Sequence, residues 1–423
     1  MLQGPHGPFF SDLADALKRS GHSVHRIGFN SGDALFWPGE NYTRYNDRPE
    51  YWRTFFKEFL FKQRITDVVL YGDIRDRHSE AVRICKDRGL QLHIFEEGYL
   101  RPYWCTYERS GTNGYSPIMD ISIAQMRMAL AFWGRDMREV PATWGELRQH
   151  IYYGTRYHTQ VLFGNKSYQN FVAHRQRSLR DEFSSSCKHM RSMPFKALRR
   201  MRSERRIKRG RFPYSLVLLQ LAHDASIQEH SSFRDMISVI RLCLQDFAKA
   251  APPHQHLVFK AHPLEDYFQP LAEYTLARAE QLGIRGRVHF VEGGKLADLL
   301  DHSNSVVTVN STAAQQALWR GLPVKCLGRS VYDKPSLVSD QKLVEFFRDP
   351  KHPDRDDYMF YRRFLLETCQ IRGGFYSRDG REALIRELVP RMLEDECRYT
   401  RLLGPLPVLT PQPEVQERLR LVK

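Results

Sequence analysis

Short apolar runs recur along this chain at the spacing of β-α-β units, in two separate blocks. In the first block, residues 24–29, 67–71 and 90–94 read as strands, with helical stretches over 9–20, 51–63 and 75–88. In the second, residues 214–219, 256–259, 288–291, 305–309 and 324–327 read as strands, with helices over 233–250, 264–282 and 296–302. Strands alternating with helices predict mostly parallel sheets covered on both faces. The chain has 423 residues, more than one domain usually holds, and 42% of them are hydrophobic, enough for two cores. The expected fold is therefore α/β, with two doubly wound Rossmann-type domains over 1–125 and 213–335. A helical, strongly basic segment over 126–212 connects them. A helical C-terminal segment over 336–423, ending in a Pro-rich tail, is expected to pack back across both.

The first helix shows Phe10, Leu13, Ala14 and Leu17 on one face and has Ser11 as a candidate cap. Leu2 reads as the end of a short first strand. The loop Gln3-Gly4-Pro5-His6-Gly7-Pro8 lets a substrate approach the backbone closely. It has neither the GxGxxG nor the Walker A pattern, so no dinucleotide or ATP site is expected. Seven scattered cysteines without close pairs suggest reduced thiols in a cytoplasmic protein. No apolar run approaches the roughly 18 residues that span a bilayer, and the first residues do not read as a secretory signal.

The net charge of +15 asks for an anionic partner. Between Arg175 and Arg211 stand 14 Lys or Arg against 3 acids, so this short stretch carries +11 of it. Its densest part holds Arg199, Arg200, Arg202, Arg205, Arg206, Lys208 and Arg209. Three readings stay open: a solvated basic helix or linker, a contact with anionic lipid in which Phe195, Leu198, Met201 and Ile207 dip into the interface, and a nucleic-acid contact. The last has no RRM, KH or helix-turn-helix signature behind it, and no nucleic-acid partner is expected.

Candidate chemistry collects at strand ends, where open α/β sheets bind their ligands. Glu96 and Glu97 follow the strand at 90–94, and Gly98 lets the backbone turn beside them. Adjacent carboxylates repel, so one is expected to have a raised pKa suited to acid/base work; an exposed acidic turn is the plainer alternative. In the second block, Lys260, His262 and Pro263 follow one strand and suit a phosphate, or else His262 is structural. Asn310, Ser311 and Thr312 open a helix whose N-terminus either binds an anion or is simply capped. Asp224 follows the first strand of that block as a nucleophile or a structural acid. Asp354-Arg355-Asp356 has DxD spacing but stands in a polar loop, so no metal site and no cofactor are expected. Carboxylates on one domain and phosphate-type groups on the other, facing a cleft, are the GT-B plan of glycosyltransferases.

Several motifs stand in one order over residues 2 to about 335: Leu2-Gln3-Gly4-Pro5 with Gly7-Pro8-Phe9-Phe10, Phe29-Asn30 with Gly32-Asp33, Tyr71-Gly72-Asp73, and Phe95-Glu96-Glu97-Gly98-Tyr99-Leu100-Arg101-Pro102. They continue with Asp224-Ala225-Ser226, His230-Ser231-Ser232, His262-Pro263 and Asn310-Ser311-Thr312-Ala313. Together they resemble the capsule polysaccharide Kdo-transferases of the KpsS/LipB type. The resemblance implies a GT-B enzyme, cytoplasmic and peripheral on the inner face of the bacterial inner membrane. It would move Kdo from CMP-Kdo to a phosphatidylglycerol-type lipid, without a metal, and begin the linker of a capsule chain. A second Kdo-transferase would extend that linker. Because the donor is β-linked, a β product means retention. The resemblance then makes Asp224 the nucleophile, Glu97 the general base and Glu96 the group that orients or tunes it. Lys260, His262, Pro263, Asn310, Ser311 and Thr312 would hold CMP, and Arg101 would pair with the Kdo carboxylate. Gln3, Gly4, Pro5 and Asp73 are further substrate-binding positions. The alternatives are a CDP-polyol or polyol-phosphate transferase of the wall-polymer type, and a non-catalytic anion-binding membrane adaptor.

Overall fold

The computed structural model describes residues 1–131, 147–168, 170, 201–221, 231–233, 235–262 and 270–404. The chain divides into two compact units. The first joins Met1–Ile118, Met128–Leu179 and Arg362–Pro405; the second joins Met119–Arg127, Arg180–Tyr361 and Leu406–Lys423.

The first unit contains β1 (Arg26–Gly28), β2 (Tyr42–Arg44), β3 (Asp67–Tyr71), β4 (Gln91–Glu97) and β5 (Trp104–Glu108), together with the chain's last described strand, β11 (Gln370–Arg372). Its four-stranded sheet runs β11-β5-β4-β3, while β1 and β2 pair separately. Residues 1–3 thread between the two: Leu2 N–H donates to Val69 O at 2.8 Å, and Ile27 N–H donates to Met1 O at 3.0 Å. Leu2, read as the end of a short first strand, lies outside any strand, and single backbone hydrogen bonds of Met1 and Leu2 bridge the two sheets instead. The sheet is mixed rather than mostly parallel. β3 and β4 are parallel, but β4–β5 and β5–β11 are antiparallel. Tyr99, Leu100 and Pro102 lie in the short return that makes β4 and β5 antiparallel neighbours, since so short a connection cannot hold a crossover.

Alternation along β4 sorts its side chains to two faces. Leu92 and Ile94 join Val68 and Leu70 of β3 and Trp52, Phe56, Ala81 and Ile84 of the helices Trp52–Lys62 and Asp76–Asp87. Phe95 faces the other way, onto Phe9, Phe10 and Leu13 of the helix Phe9–Arg19, Leu384 and Leu388 of the helix Arg378–Met392, and Phe375 just before it. The helix Phe9–Arg19 buries the expected Phe10, Leu13, Ala14 and Leu17, but its N-cap is Pro8; no side chain, and so not Ser11, supplies a cap bond.

The second unit has a five-stranded, all-parallel sheet of order β10-β9-β6-β7-β8, made of β6 (Tyr214–Leu218), β7 (His256–Lys260), β8 (Val288–Val291), β9 (Ser305–Thr308) and β10 (Val324–Cys326). Here the parallel, doubly wound expectation holds. Its core packs Val217, Phe259 and Val307 against Val239, Ile240, Cys243 and Phe247 of the helix Met236–Ala250. Asp235 caps that helix by accepting from Ser238 N–H at 2.7 Å. Polar pairs close both ends of the β6–β9 register. Ser305 Oγ donates to Ser215 Oγ at 2.8 Å, and Gln220 Nε2 donates to Asn310 Oδ1 at 2.9 Å.

Residues 201–210 are helical. Ile207, which the lipid reading of this segment would dip into an interface, is 4% exposed. Lys208 Nζ meets Asp298 Oδ2 at 2.8 Å, so one charge of the basic run is neutralised within the unit. Arg202, Arg205, Arg206 and Arg209 are exposed. Arg199 and Arg200 lie outside the described residues.

Candidate functional site

The first unit gathers its chemistry where β3 and β4 end. β4 runs through Glu97, so Glu96 and Glu97 are its last residues rather than a turn beyond it. Gly98 serves close approach: a Cβ there would lie 2.0 Å from Trp104 O on the returning strand. Because side chains alternate, the two carboxylates diverge. Glu96 turns towards Gly72, and its Oε1 accepts the Glu97 N–H at 3.0 Å. Burial, more than the neighbouring Glu97, pushes the Glu96 carboxyl up to about 7. The expected raised pKa is therefore present, but desolvation is its main cause and repulsion a smaller one. Glu97 turns to the opposite face, where Tyr71 OH donates to Oε1 at 3.2 Å and Tyr376 OH donates to the same oxygen at 3.4 Å.

Around this pair stands a polar network built by the loop after residue 2 and by the helix Leu147–Gly164. Arg75 Nη1 donates to Gln3 Oε1 at 2.8 Å. Gln3 Nε2 donates to Tyr157 OH at 2.8 Å, and Asn30 Nδ2 donates to the same hydroxyl at 2.7 Å. Asp33 Oδ2 accepts Phe29 N–H at 2.9 Å, and Asn30 Oδ1 caps the helix Ser31–Leu35 by accepting Asp33 N–H at 2.9 Å. The glycine positions serve packing here: Gly4 makes room for the Phe10 ring and Gly32 for the Tyr157 ring. Pro5 is buried beside Gly4.

His6 lies with its ring centroid 4.6 Å from that of His150 and 5.0 Å from that of Tyr376. Burial, then His150 and His158, pull His6 down to about 4, so it is a neutral imidazole at ordinary pH. His78 is buried, and its Nδ1–H donates to Gly72 O at 2.7 Å; burial and Arg75 hold it down to about 3. Asp73 is buried too, accepts Thr112 N–H at 2.7 Å, and burial raises its pKa. It pins the loop after β5 from within. Arg101 is exposed, with its Nε donating to Gly98 O at 3.3 Å.

The sequence gives no site role to Tyr71 or His6, which it shows only within a motif and a loop, and does not point to Arg75, His150, Tyr157 or Tyr376. A signal existed for the helix: His150, Gly154, Tyr157, Val161 and Gly164 recur every three or four residues and lie on one face. Tyr376 gave none, because it comes from a distant part of the chain.

In the second unit, Lys260 closes β7 rather than following it and is 6% exposed; its Nζ donates to Ala261 O at 3.4 Å. His262 is the next described position but one, while Pro263 and Asp224 lie outside the described residues. Asn310 is buried and tied to Gln220 through both its side chain and its backbone N–H. Ser311 Oγ accepts from Ala313 N–H at 3.3 Å and so caps the short turn Thr312–Ala314, which leads into the five-residue helix Gln315–Trp319. Ordinary capping is what this start displays. Asp354, of the DxD-like run, has its Oδ1 accepting Asp357 N–H at 2.9 Å, as a cap of the helix Arg355–Thr368. Among the described residues, no three His, Cys, Asp or Glu side chains group to hold a metal, and no helix is long and apolar enough to cross a membrane.

The chain is 29% identical to the capsule polysaccharide modification protein LipB of Neisseria meningitidis serogroup B, over 89% of this chain and 91% of that protein. It is 28% identical to the capsule polysaccharide export protein KpsS of Escherichia coli, over 89% of this chain and 96% of that one. A solved structure, the beta Kdo 2,7 transferase of Thermosulfurimonas dismutans KpsC, shares 14% identity at a TM-score of 0.44, covering 92% of this chain and 97% of that one. Residues 66–376, which carry β3, β4 with Glu96 and Glu97, and the whole second sheet, match the family described as Capsule polysaccharide biosynthesis protein, and the chain belongs to that family.

Proposed function

We propose that this protein is a retaining β-Kdo glycosyltransferase. It moves Kdo from CMP-Kdo to a phosphatidylglycerol-type lipid and starts the poly-Kdo linker of a capsular polysaccharide, as a peripheral protein on the inner face of the bacterial inner membrane. The observation that carries the reading is the carboxyl pair at the end of β4. One member is pushed up to about 7 by burial. The other is held by two tyrosine hydroxyls on Oε1, and its Oε2 has no hydrogen bond among the described residues. Family membership and the names of the relatives support the capsule setting.

In this reading, the Asp224 carboxylate attacks the anomeric carbon of Kdo, and CMP departs with the bonding pair. The acceptor hydroxyl then attacks the same carbon, gives its proton to Glu97, and releases Asp224. Two inversions give net retention. Tyr71 and Tyr376 hold the Glu97 carboxylate in place, and Glu96 anchors its backbone N–H. Lys260, His262, Ser311 and Thr312 balance charge on the CMP phosphate, Arg101 pairs with the Kdo carboxylate, and no metal takes part.

The test is incubation of the purified protein with CMP-Kdo and a fluorescent phosphatidylglycerol analogue in the presence of EDTA. The expected product has gained one Kdo. Glu97→Gln is expected to lower the transfer rate by about 100-fold or more, the usual worth of a positioned base, with the melting temperature retained. Transfer at the wild-type rate in that variant removes Glu97 from the role. Turnover of CDP-glycerol in place of CMP-Kdo overturns the donor assignment.

A further inference from the structure

The helix Leu147–Gly164 has two faces, and the proposed chemistry uses one of them. Its inner side holds Tyr157 against Gln3 and Asn30, and His150 against Tyr376. The outer side is unlike an ordinary solvated face. Ile151 is 57% exposed, Tyr152 55% and Phe163 69%. Arg148, Arg156 and Lys166 are exposed among them. Arg148, Tyr152, Thr155, Thr159 and Phe163 recur every three or four residues, so they line one side of the helix. From 147 to 180 the sequence has six Lys or Arg and no acidic residue.

We propose that this outer face is the surface by which the protein docks on an anionic lipid bilayer. Large apolar and aromatic side chains mixed with cations, over a helix about 27 Å long, match a helix lying in the plane of an interface. The rings and Ile151 enter the headgroup–acyl boundary while the Arg and Lys stems carry their charges back to lipid phosphates. Charge chooses the occupant. A face with cations and no acid complements a negative bilayer, and a second copy of the same face would meet it with like charge. The helix 201–210 suits this less well, because its Ile207 is buried and its Lys208 is paired with Asp298. Docking through the outer face sets the membrane surface about one helix diameter, roughly 10 Å, from Tyr157 and His150. A lipid acceptor would then reach the site from the headgroup layer. The inference rests on the membrane part of the proposed function.

The experiment is sedimentation of the full chain with vesicles of phosphatidylcholine, with and without phosphatidylglycerol. Wild type is expected to bind the anionic vesicles, more weakly as salt rises, and not the neutral ones. Arg148→Gln/Lys166→Gln is expected to weaken binding by about fivefold per charge removed, and Tyr152→Ser/Phe163→Ser by about tenfold or more. Both variants should keep wild-type transfer to a short-chain, soluble acceptor. That readout separates this inference from the function above: absence of transfer in wild type overturns the function, while unchanged vesicle binding in both variants overturns the docking face. Loss of binding only in Arg202→Gln/Arg205→Gln moves the contact to the other helix and also overturns it. So does a change in oligomeric mass of the ring variant, which would make the face a contact between copies.

Discussion

Glu96 and Glu108 stand on adjacent strands, and burial pushes both up to about 7 from an ordinary 4.5. Glu108 keeps its place by accepting from Ser116 Oγ, Tyr99 OH and Tyr399 OH, yet desolvation outweighs these bonds. Between about pH 4.5 and 7 the folded protein holds protons that the unfolded chain releases. Stability from these groups is therefore full below the unfolded value and is lost as pH rises through the folded one. A shift of this size is worth on the order of 3 kcal/mol for fully buried Glu108 and less for Glu96, which solvent partly reaches. His6 and His78, pulled down to about 4 and about 3, act in the opposite sense and cost stability as pH falls below about 6.5. The clean measurement is therefore a difference. The melting temperature of Glu96→Gln minus that of wild type is expected to rise from pH 5 to pH 8, because the variant has no proton to lose. A flat difference would mean that Glu96 titrates as in the unfolded chain. The pair itself was legible, since two acids beside a glycine at a strand end are a visible pattern. Which acid is buried was not, because that depends on whose side chains surround each face.

Among the elements, strands with long apolar runs were readable and strands made by pairing were not. β3, β6 and β8 fall where the sequence places them, each a mostly apolar run with one polar residue, Asp67, Ser215 and His289 in turn. β11 has one apolar residue in three and exists because Gln370, Ile371 and Arg372 pair with Thr106, Cys105 and Trp104. β5 mixes polar and apolar residues, and its partner on one side is this same remote strand. The tight β4–β5 return makes a sharp test. Gly98→Ala sets a methyl against Trp104 O, and neither backbone can move without loss of pairing. The expected loss is about 2–3 kcal/mol, read as a fall in melting temperature. Gly286→Ala, where nothing lies within 4 Å, is the matched control and is expected to be neutral. At the β6 and β9 ends, Asn310→Ala removes the bond that Gln220 Nε2 donates to Asn310 Oδ1, at a cost of about 0.5–1.5 kcal/mol in chemical denaturation. A fall below 0.5 kcal/mol would show that another group satisfies Gln220, an outcome below the usual range.

For the whole molecule, the main departure from simple domain order is that the last described segment completes the first sheet. Phe375, Leu384 and Leu388 cover the face that Phe9, Phe95 and Tyr107 present. Arg381 Nε meets Asp12 Oδ2 at 2.7 Å, and Arg109 Nη2 donates to Arg391 O and Glu394 O at the end of the covering helix. A chain ending at residue 361 is expected to lose cooperative unfolding of the first unit, seen as loss of hydrogen-exchange protection across β4 and β5. Retained protection would show that the sheet face closes some other way. The sequence by itself determined the α/β class, the strands built from apolar runs, and the carboxyl pair at the end of β4. All of these rest on local periodicity and turn chemistry, which act over a few residues. The tertiary structure alone decided that the first sheet is mixed, that Tyr376 and His6 meet beside Glu97, that Ile207 is buried, and that Asn310 is held by Gln220. Those outcomes come from contacts between residues far apart in the chain, whose energies no local pattern encodes.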